Sequence, residues 1–168
     1  MSQKIATRTA YGAALAEIGG NPNIVVLDAD LSKSTKTDTF KKKYPERHIN
    51  VGIAESNMMS IAAGLAACGK TVFASTFAIF ASGRAYDQVR NSIGYPHLNV
   101  KIGATHAGIT VGEDGASHQA LEDIALMRAI PGMTVISPAD AVSTGALVKL
   151  AAEMGGPVGG RLRREPSE

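Results

Sequence analysis

The sequence contains a single cysteine, Cys68, and no tryptophan among its 168 residues. One thiol cannot form an internal disulfide framework, so the class of small disulfide-stabilised secreted domains is excluded. A lone thiol in a run of small and apolar residues fits a reducing compartment, and we expect a cytoplasmic location. Because there are only four Phe and four Tyr, the hydrophobic core must rest mainly on Ala, Ile, Val, Leu and Met.

An excess of one charge and long apolar runs are also missing. The 17 Lys and Arg nearly balance the 15 Asp and Glu. No basic stripe carries interleaved aromatic residues, so we expect no nucleic-acid partner. The longest apolar-rich stretch, residues 61–68, is far too short to cross a bilayer, and residues 1–17 do not resemble a signal peptide. We therefore expect no membrane partner.

Short β-branched strands alternate with helices along the chain. The patterns of buried strands occur at residues 24–27, 48–51, 71–74, 98–102 and 134–136. Helices are predicted at residues 5–18, 55–67, 79–93, 118–129 and 138–153, and a polar helix that Pro45 ends is predicted at residues 35–43. This alternation predicts an α/β fold, a three-layer sandwich with a mostly parallel sheet flanked by helices, as one domain over residues 1–168.

Local signals mark the start of the last predicted helix and a change of composition near the end of the chain. Ser137 is predicted as its N-cap, with Pro138 in the first turn and Asp140 at the capping-box position. After Leu162 the sequence becomes charged, and no further helix or strand is predicted there. We expect a truncated domain boundary at this end.

Ligand sites of parallel sheets gather at the carboxyl ends of the strands, which directs attention to the loops that follow them. Loop 28–34 carries two carboxylates and two hydroxyls, which either bind a polar ligand or cap the next helix. Glu55 stands where a strand gives way to an apolar helix. Its carboxylate is either structural or a buried functional group that requires a partner.

The remaining two loops contain aromatic residues and histidines. Phe77 and Phe80 share a face if helical, where they either join the core or form a wall for a flat aromatic ligand. Residues 105–119 form the densest polar segment, with two His, two carboxylates and several Gly. Glycine permits close approach of backbone to a ligand, and His can move protons near neutral pH. A zinc or iron site is the rival interpretation, although the His spacing matches no helical ligand pair.

Five segments resemble the transketolase family and occur in the same order as in that family: residues 7–8, 30–34, 52–57, 75–80 and 106–119. The last is the most specific, because Gly112-Glu113-Asp114-Gly115 is followed by His118-Gln119. Residues 84–89 also resemble deoxyxylulose-phosphate synthase, a sister enzyme. The whole chain is similar to the pyrimidine-binding domain of this family.

The resemblance implies that the chain binds the aminopyrimidine ring of thiamine diphosphate. Glu55 aligns with the glutamate that hydrogen-bonds a ring nitrogen and so activates the cofactor. The implied cofactor-binding residues are Glu55, Ile53, Phe77 and Phe80, and the implied catalytic residues are Glu55, His106 and His118. The implied substrate-binding residues, around the anionic end of a sugar phosphate, are Arg8, Ser34, His106, Asp114 and Arg164.

The sequence departs from the family at three places. Gly83 stands where many members have a further aromatic residue of the pyrimidine pocket. Gly159 and Gly160 replace an aromatic or β-branched pair in the last strand, and glycine weakens a strand. Arg163 occupies a position that is usually glycine.

The family's diphosphate- and metal-binding motif, a Gly-Asp-Gly with a downstream Asn pair, does not occur in the 168 residues. The resemblance therefore implies that the diphosphate and a Mg²⁺ or Ca²⁺ ion are held by a separate N-terminal subunit. This chain resembles the C-terminal subunit of a split transketolase, cut short. The resemblance implies that the chain is inactive alone and self-associates as a homodimer. Together with the N-terminal subunit it is expected to form a heterotetramer.

The sequence is compatible with three functions. The first is transfer of a two-carbon ketol unit between sugar phosphates, which His106, Arg8 and Ser34 favour. The second is a related enzyme component, either of deoxyxylulose-phosphate synthase type or a β subunit of a 2-oxoacid dehydrogenase. The third is a non-catalytic dimerisation module that retains the fold alone.

Overall fold

A six-stranded parallel sheet forms the centre of the computed structural model, which describes residues 4–167. Two short strands, β1 (Ile5–Ala6) and β8 (Pro166–Ser167), form a separate antiparallel pair. The strands of the main sheet are β2 (Ile24–Asp28), β3 (His48–Asn50), β4 (Thr71–Phe77), β5 (Val100–Thr105), β6 (Thr134–Ile136) and β7 (Val158–Arg161). Their spatial order is β3-β2-β4-β5-β7-β6.

Helices cover both faces of this sheet. The α-helices are α1 (Thr7–Ile18), α2 (Ser32–Thr35), α3 (Asp38–Lys43), α4 (Glu55–Ala67), α5 (Tyr86–Gln88), α6 (Asp123–Arg128) and α7 (Ala141–Glu153). The wider π-helical turns Phe80–Arg84 and Val89–Gly94 flank α5, and the 3₁₀ turns are Pro45–Arg47, Gly112–Asp114 and Ala116–His118. The predicted α/β class with a mostly parallel sheet is confirmed.

Side chains of the strands alternate between two apolar clusters, as the period of a strand requires. On β2, Val25 and Leu27 join a cluster with α4, whereas Ile24 and Val26 join a second cluster with α1 and α3. A strand buried on both faces has a continuous apolar sequence, and this is why β2 was recognisable as a central parallel strand. No helix within residues 4–167 has both the length and the apolar character that a membrane span requires.

The predicted helix at residues 35–43 is wrong in its extent. Lys36 has φ of 69°, a left-handed conformation that ends α2, and α3 begins two residues later. The cause is the buried carboxylate of Asp28, which accepts hydrogen bonds from the hydroxyls of Thr35 (2.6 Å) and Thr37 (2.9 Å). Side chains two residues apart in an α-helix point to different sides, so Thr35 and Thr37 can both reach Asp28 only because the helix is interrupted at Lys36.

Two further helix predictions are corrected at their first turns. The first predicted helix begins at Thr7 and not at residue 5, because Ile5 and Ala6 pair with β8. The helix predicted from His118 begins only at Asp123, because Ala120 exchanges backbone hydrogen bonds with Gly108 and this requires extended backbone there.

Two predictions near the end of the chain are also wrong. The N-cap of α7 is Asp140 and not Ser137: the carboxylate of Asp140 accepts from the backbone N–H of Ser143 at 2.7 Å, and the Ser143 hydroxyl closes the reciprocal box. The segment after Leu162 does contain a further element, β8. Arg163 connects this segment to α1, since its backbone N–H donates to the Thr7 hydroxyl at 2.6 Å.

Candidate functional site

Glu55 lies at the carboxyl edge of the sheet, in the first turn of α4, as the sequence predicted. Glu55 is only 2% exposed. A buried carboxylate is costly unless it is paired, and here Nη1 of Arg84 donates to Oε2 of Glu55 at 2.9 Å. The helix N-terminus adds a favourable potential for a negative charge at this position. The carboxyl group of Glu55 is therefore buried and held in one orientation by Arg84, whose own side chain is 52% exposed.

Phe77 and Phe80 form a flat aromatic face next to Glu55. Their rings are stacked, with centroids 5.6 Å apart and an interplanar angle of 12°. Phe77 is the last residue of β4 and is buried, whereas Phe80 is half-buried in the π-helical turn that follows. The ring of His118 meets both phenylalanines edge-on, at 5.3 Å from Phe80 and 6.2 Å from Phe77.

His106 joins the aromatic face to a cluster of cations. It follows β5 directly, with a left-handed φ of 57°, and its ring centroid is 3.9 Å from that of Phe77. Its Nε2 lies 3.1 Å from Nη1 of Arg8, and its Nδ1 lies 3.0 Å from the Thr105 hydroxyl. A guanidinium only donates, so Nε2 accepts and the imidazole proton sits on Nδ1. A non-glycine residue with such strained backbone is typical of functional sites.

Burial and the neighbouring Arg8 and Arg164 lower the pKa of His106 to about 4. The histidine is thus neutral at physiological pH. Asp114 opposes this shift, because its negative charge favours the protonated ring.

This shift predicts an acid-dependent loss of stability. The unfolded chain takes up the His106 proton near pH 6.5 and the folded chain only near pH 4. The contribution is therefore present above pH 6.5 and lost as the pH falls through 4, reducing the free energy of unfolding by about 1–3 kcal/mol. We expect urea unfolding from pH 7 to pH 4 to show this fall and the His106→Gln variant to show a smaller one. A His106→Gln slope equal to wild type would contradict the assignment.

Arg8, Ser34 and Arg164 come together at the same edge. Nη1 of Arg8 also donates to the backbone carbonyl of Ser34 at 3.1 Å. Burial is the largest cause that lowers the pKa of Arg8, and the positive charge of nearby Arg164 is the second. Nη1 of Arg164 donates to Glu165 at 2.6 Å. An open cavity of about 450 Å³ is lined by the cations Arg8, Arg164 and Lys36 and by one carboxylate, that of Glu165. The cations outnumber the carboxylate, which suits an anionic ligand.

Comparison with known proteins settles the family. The family model for the transketolase pyrimidine-binding domain matches residues 3–166. A putative transketolase C-terminal section from Methanocaldococcus jannaschii is 59% identical over 162 residues, covering 96% of this chain and 51% of the relative. This chain belongs to the transketolase family.

Solved transketolase structures share the same fold. A split-gene transketolase, an inactive β4 tetramer, matches with a TM-score of 0.87 and 63% identity over 96% of this chain and 52% of its own. Transketolase from Leishmania mexicana matches with a TM-score of 0.90 and 34% identity over 100% of this chain and 26% of its own. The chain thus spans about half the length of the split-type relatives and about a quarter of the Leishmania enzyme.

The structure groups most of the residues implied by the transketolase resemblance. The rings of Phe77, Phe80, His106 and His118 contact one another, and Arg84 links Glu55 to Phe80. The remaining positions lie around this group. Arg8, Ser34 and Arg164 stand on the His106 side, Asp114 is exposed on the 3₁₀ turn Gly112–Asp114, and Ile53 is exposed just before α4.

Arg84 is the site residue that sequence reasoning missed. The sequence placed it in a segment similar to deoxyxylulose-phosphate synthase and gave it no role. Its guanidinium carbon lies 4.3 Å from the centroid of the Phe80 ring, in addition to its contact with Glu55. Its place depends on the π-helical turn Phe80–Arg84, which the sequence pattern of an α-helix does not reveal.

The departures from the transketolase pattern leave the fold intact. Gly83 lies in the π-helical turn, and a Cβ there would meet only Ile79, at 3.9 Å. Gly159 and Gly160 sit within β7, which still pairs with β5 and β6. Within residues 4–167 no group of three His, Cys, Asp or Glu side chains is arranged to hold a metal ion.

Proposed function

We propose that this chain supplies the pyrimidine-binding half of a thiamine diphosphate-dependent transketolase site. The observation that carries the proposal is the position of buried Glu55 beside the stacked Phe77 and Phe80, with neutral His106 on the same surface. The structure of this chain fits an aminopyrimidine ring. A flat aromatic face offers stacking, and the carboxylate already receives N–H donation from a planar cation, Arg84.

Each residue has a defined task in this proposal. Glu55 accepts a hydrogen bond from the aminopyrimidine and orients it, while Phe77, Phe80 and Ile53 contact its ring. The cofactor supplies the carbon–carbon bond chemistry. His106 and His118 hold or move protons on the substrate, and a neutral His106 donates through one nitrogen and accepts through the other. Asp114 binds the substrate beside them.

The anionic end of the substrate is assigned to Arg8, Ser34 and Arg164. Within residues 4–167, the buried Nε of Arg8 has no hydrogen-bond partner. A phosphate oxygen would satisfy this donor, and a fork of guanidinium donors matches phosphate geometry. The cavity therefore supports sugar phosphates over a plain 2-oxoacid as substrates, which would place the reaction among pentose phosphate conversions in the cytoplasm.

A second chain completes the site in this proposal. The diphosphate and a Mg²⁺ or Ca²⁺ ion are assigned to an N-terminal subunit, with two copies of each chain in a heterotetramer. Around the site Ile53, Ile109 and Leu121 are large apolar side chains that are exposed. We assign these exposed apolar side chains to the contact with the second chain. The relative solved as an inactive β4 tetramer also supports self-association of this chain.

Reconstitution tests the proposal directly. We expect ketol transfer between sugar phosphates when this chain is mixed with its N-terminal subunit, thiamine diphosphate and Mg²⁺, and none from either chain alone. The coupled assay should be repeated with pyruvate as donor, which should be a poor substrate because it has no phosphate for the Arg8 cavity. An inactive mixture that nevertheless assembles would favour a dimerisation module, and activity with pyruvate would favour the deoxyxylulose-phosphate synthase or 2-oxoacid dehydrogenase type.

A further inference from the structure

The side chain of Arg84 occupies the position between Glu55 and Phe80. Its Nη1 donates to Oε2 of Glu55 at 2.9 Å, and its guanidinium carbon lies 4.3 Å from the Phe80 ring centroid. The Arg84 side chain is 52% exposed, whereas that of Glu55 is 2% exposed. The arginine therefore covers the carboxylate from the solvent side, and its own head group has an open path away from the site.

The backbone fixes this placement without help from the guanidinium. The π-helical turn Phe80–Arg84 is closed by the N–H of Ala85, which donates to the carbonyl of Phe80 at 2.9 Å. The Ser56 hydroxyl donates to the carbonyl of Arg84 at 3.1 Å and ties the turn to α4. A wide turn of this kind is common at functional sites. Replacing the Arg84 head group therefore leaves the backbone contacts in place.

The contacts of Arg84 match those assigned to the cofactor ring. A guanidinium is a planar N–H donor that stacks on an aromatic face and donates to a carboxylate. In the proposed function the aminopyrimidine, also planar, makes the same two contacts with Phe80 and Glu55. A carboxylate can accept from more than one donor, but one face of the Phe80 ring admits only one stacked planar group at a time.

We propose that Arg84 is an internal competitor for the aminopyrimidine ring, which must leave Glu55 and Phe80 when the cofactor binds. The inference rests on the proposed function of Glu55. In the chain without cofactor, the arginine keeps the buried carboxylate paired and so avoids the cost of an isolated buried charge. On binding, the half-exposed guanidinium moves into solvent, where it is well hydrated.

Cofactor affinity measures the competition. Thiamine diphosphate with Mg²⁺ is titrated calorimetrically into the complex of this chain with its N-terminal subunit. We expect Arg84→Met, which retains the apolar stem, to bind about three- to tenfold more tightly than wild type, because a half-exposed ion pair and cation–π contact no longer has to be broken. Arg84→Gln should also tighten binding, which guards against an effect peculiar to Met. Arg90→Met, an exposed arginine six residues later, should leave the affinity unchanged.

Glu55→Gln separates this inference from the function on which it rests. That variant should bind the cofactor more weakly, and adding Arg84→Met to it should give little further change, because the competing ion pair is already lost. Weaker or unchanged binding by Arg84→Met, with weaker binding by Glu55→Gln, would overturn the inference alone. Equal binding by wild type and Glu55→Gln, or no binding by the wild-type complex, would overturn both.

Discussion

Glu55→Gln should abolish most of the ketol transfer by the reconstituted complex. We expect kcat to fall by about 10²–10³, the loss typical of removing one oriented group that acts in the transition state. The amide fills the same space as the carboxylate and lacks its negative charge. The loss of the negative charge changes the proton balance of the bound aminopyrimidine, whereas the shape of the pocket stays the same.

The structure indicates that this loss does not come from unfolding. The only described ion partner of Glu55 is Arg84, whose side chain is 52% exposed and returns to water when the pair is broken. Glutamine also avoids the cost of a buried charge. We therefore expect the denaturation midpoint of the variant to remain close to that of wild type.

A matched control is available on the surface. Glu46 pairs with Arg47 at 3.1 Å and is exposed, and Glu46→Gln should leave kcat unchanged. Steady-state kinetics of the three complexes, with assembly checked by sedimentation, gives the comparison. Full activity of Glu55→Gln in an assembled complex would reject the proposed role of Glu55.

Strands and the main helix were predictable because their signals are local. The core of β2 is a continuous β-branched or apolar run and β4 opens with one, and α4 has the predicted bounds Glu55–Ala67, followed by Gly69 with φ of 85°. The carboxyl ends of neighbouring strands meet at one edge of a parallel sheet. The candidate residues that follow those strands in the sequence are therefore close together in the structure.

The parts that escaped prediction depend on contacts between distant residues. Asp28 captures Thr35 and Thr37 and interrupts a polar helix whose own sequence is continuous. The contact of Gly108 with Ala120 delays the start of α6 in the same way. The place of Arg84 depends on a π-helical turn, and helical periodicity alone does not reveal such a turn.

Gly12→Ala should be a strongly destabilising conservative change outside the cofactor pocket. A Cβ at Gly12 would overlap the carbonyl oxygen of Lys36 and lie 2.7 Å from the Lys36 Cβ. The loop that carries Lys36 cannot retreat easily, because Thr35 and Thr37 on either side are buried and bonded to Asp28. We expect the free energy of unfolding to fall by about 1–3 kcal/mol, the usual cost of overpacking.

The same change should weaken anion binding, because Arg8 and Gly12 lie one turn apart on α1 and face the same loop. Arg8 donates to the Ser34 carbonyl in that loop at 3.1 Å, so displacement of the loop separates two groups assigned to the substrate phosphate. Inorganic phosphate titrated by NMR should bind more weakly to Gly12→Ala than to wild type.

Gly64→Ala provides the contrast that isolates this clash. Gly64 lies inside α4, and a Cβ there would meet nothing within 4 Å. In an exposed helix interior, Ala is more stable than Gly by about 0.5–1 kcal/mol, so this variant should be stabilised. The two substitutions are chemically identical and should have opposite signs in urea unfolding. A Gly12→Ala variant that is as stable as Gly64→Ala would mean that the loop is free to move, and the phosphate site would then have no rigid support from α1.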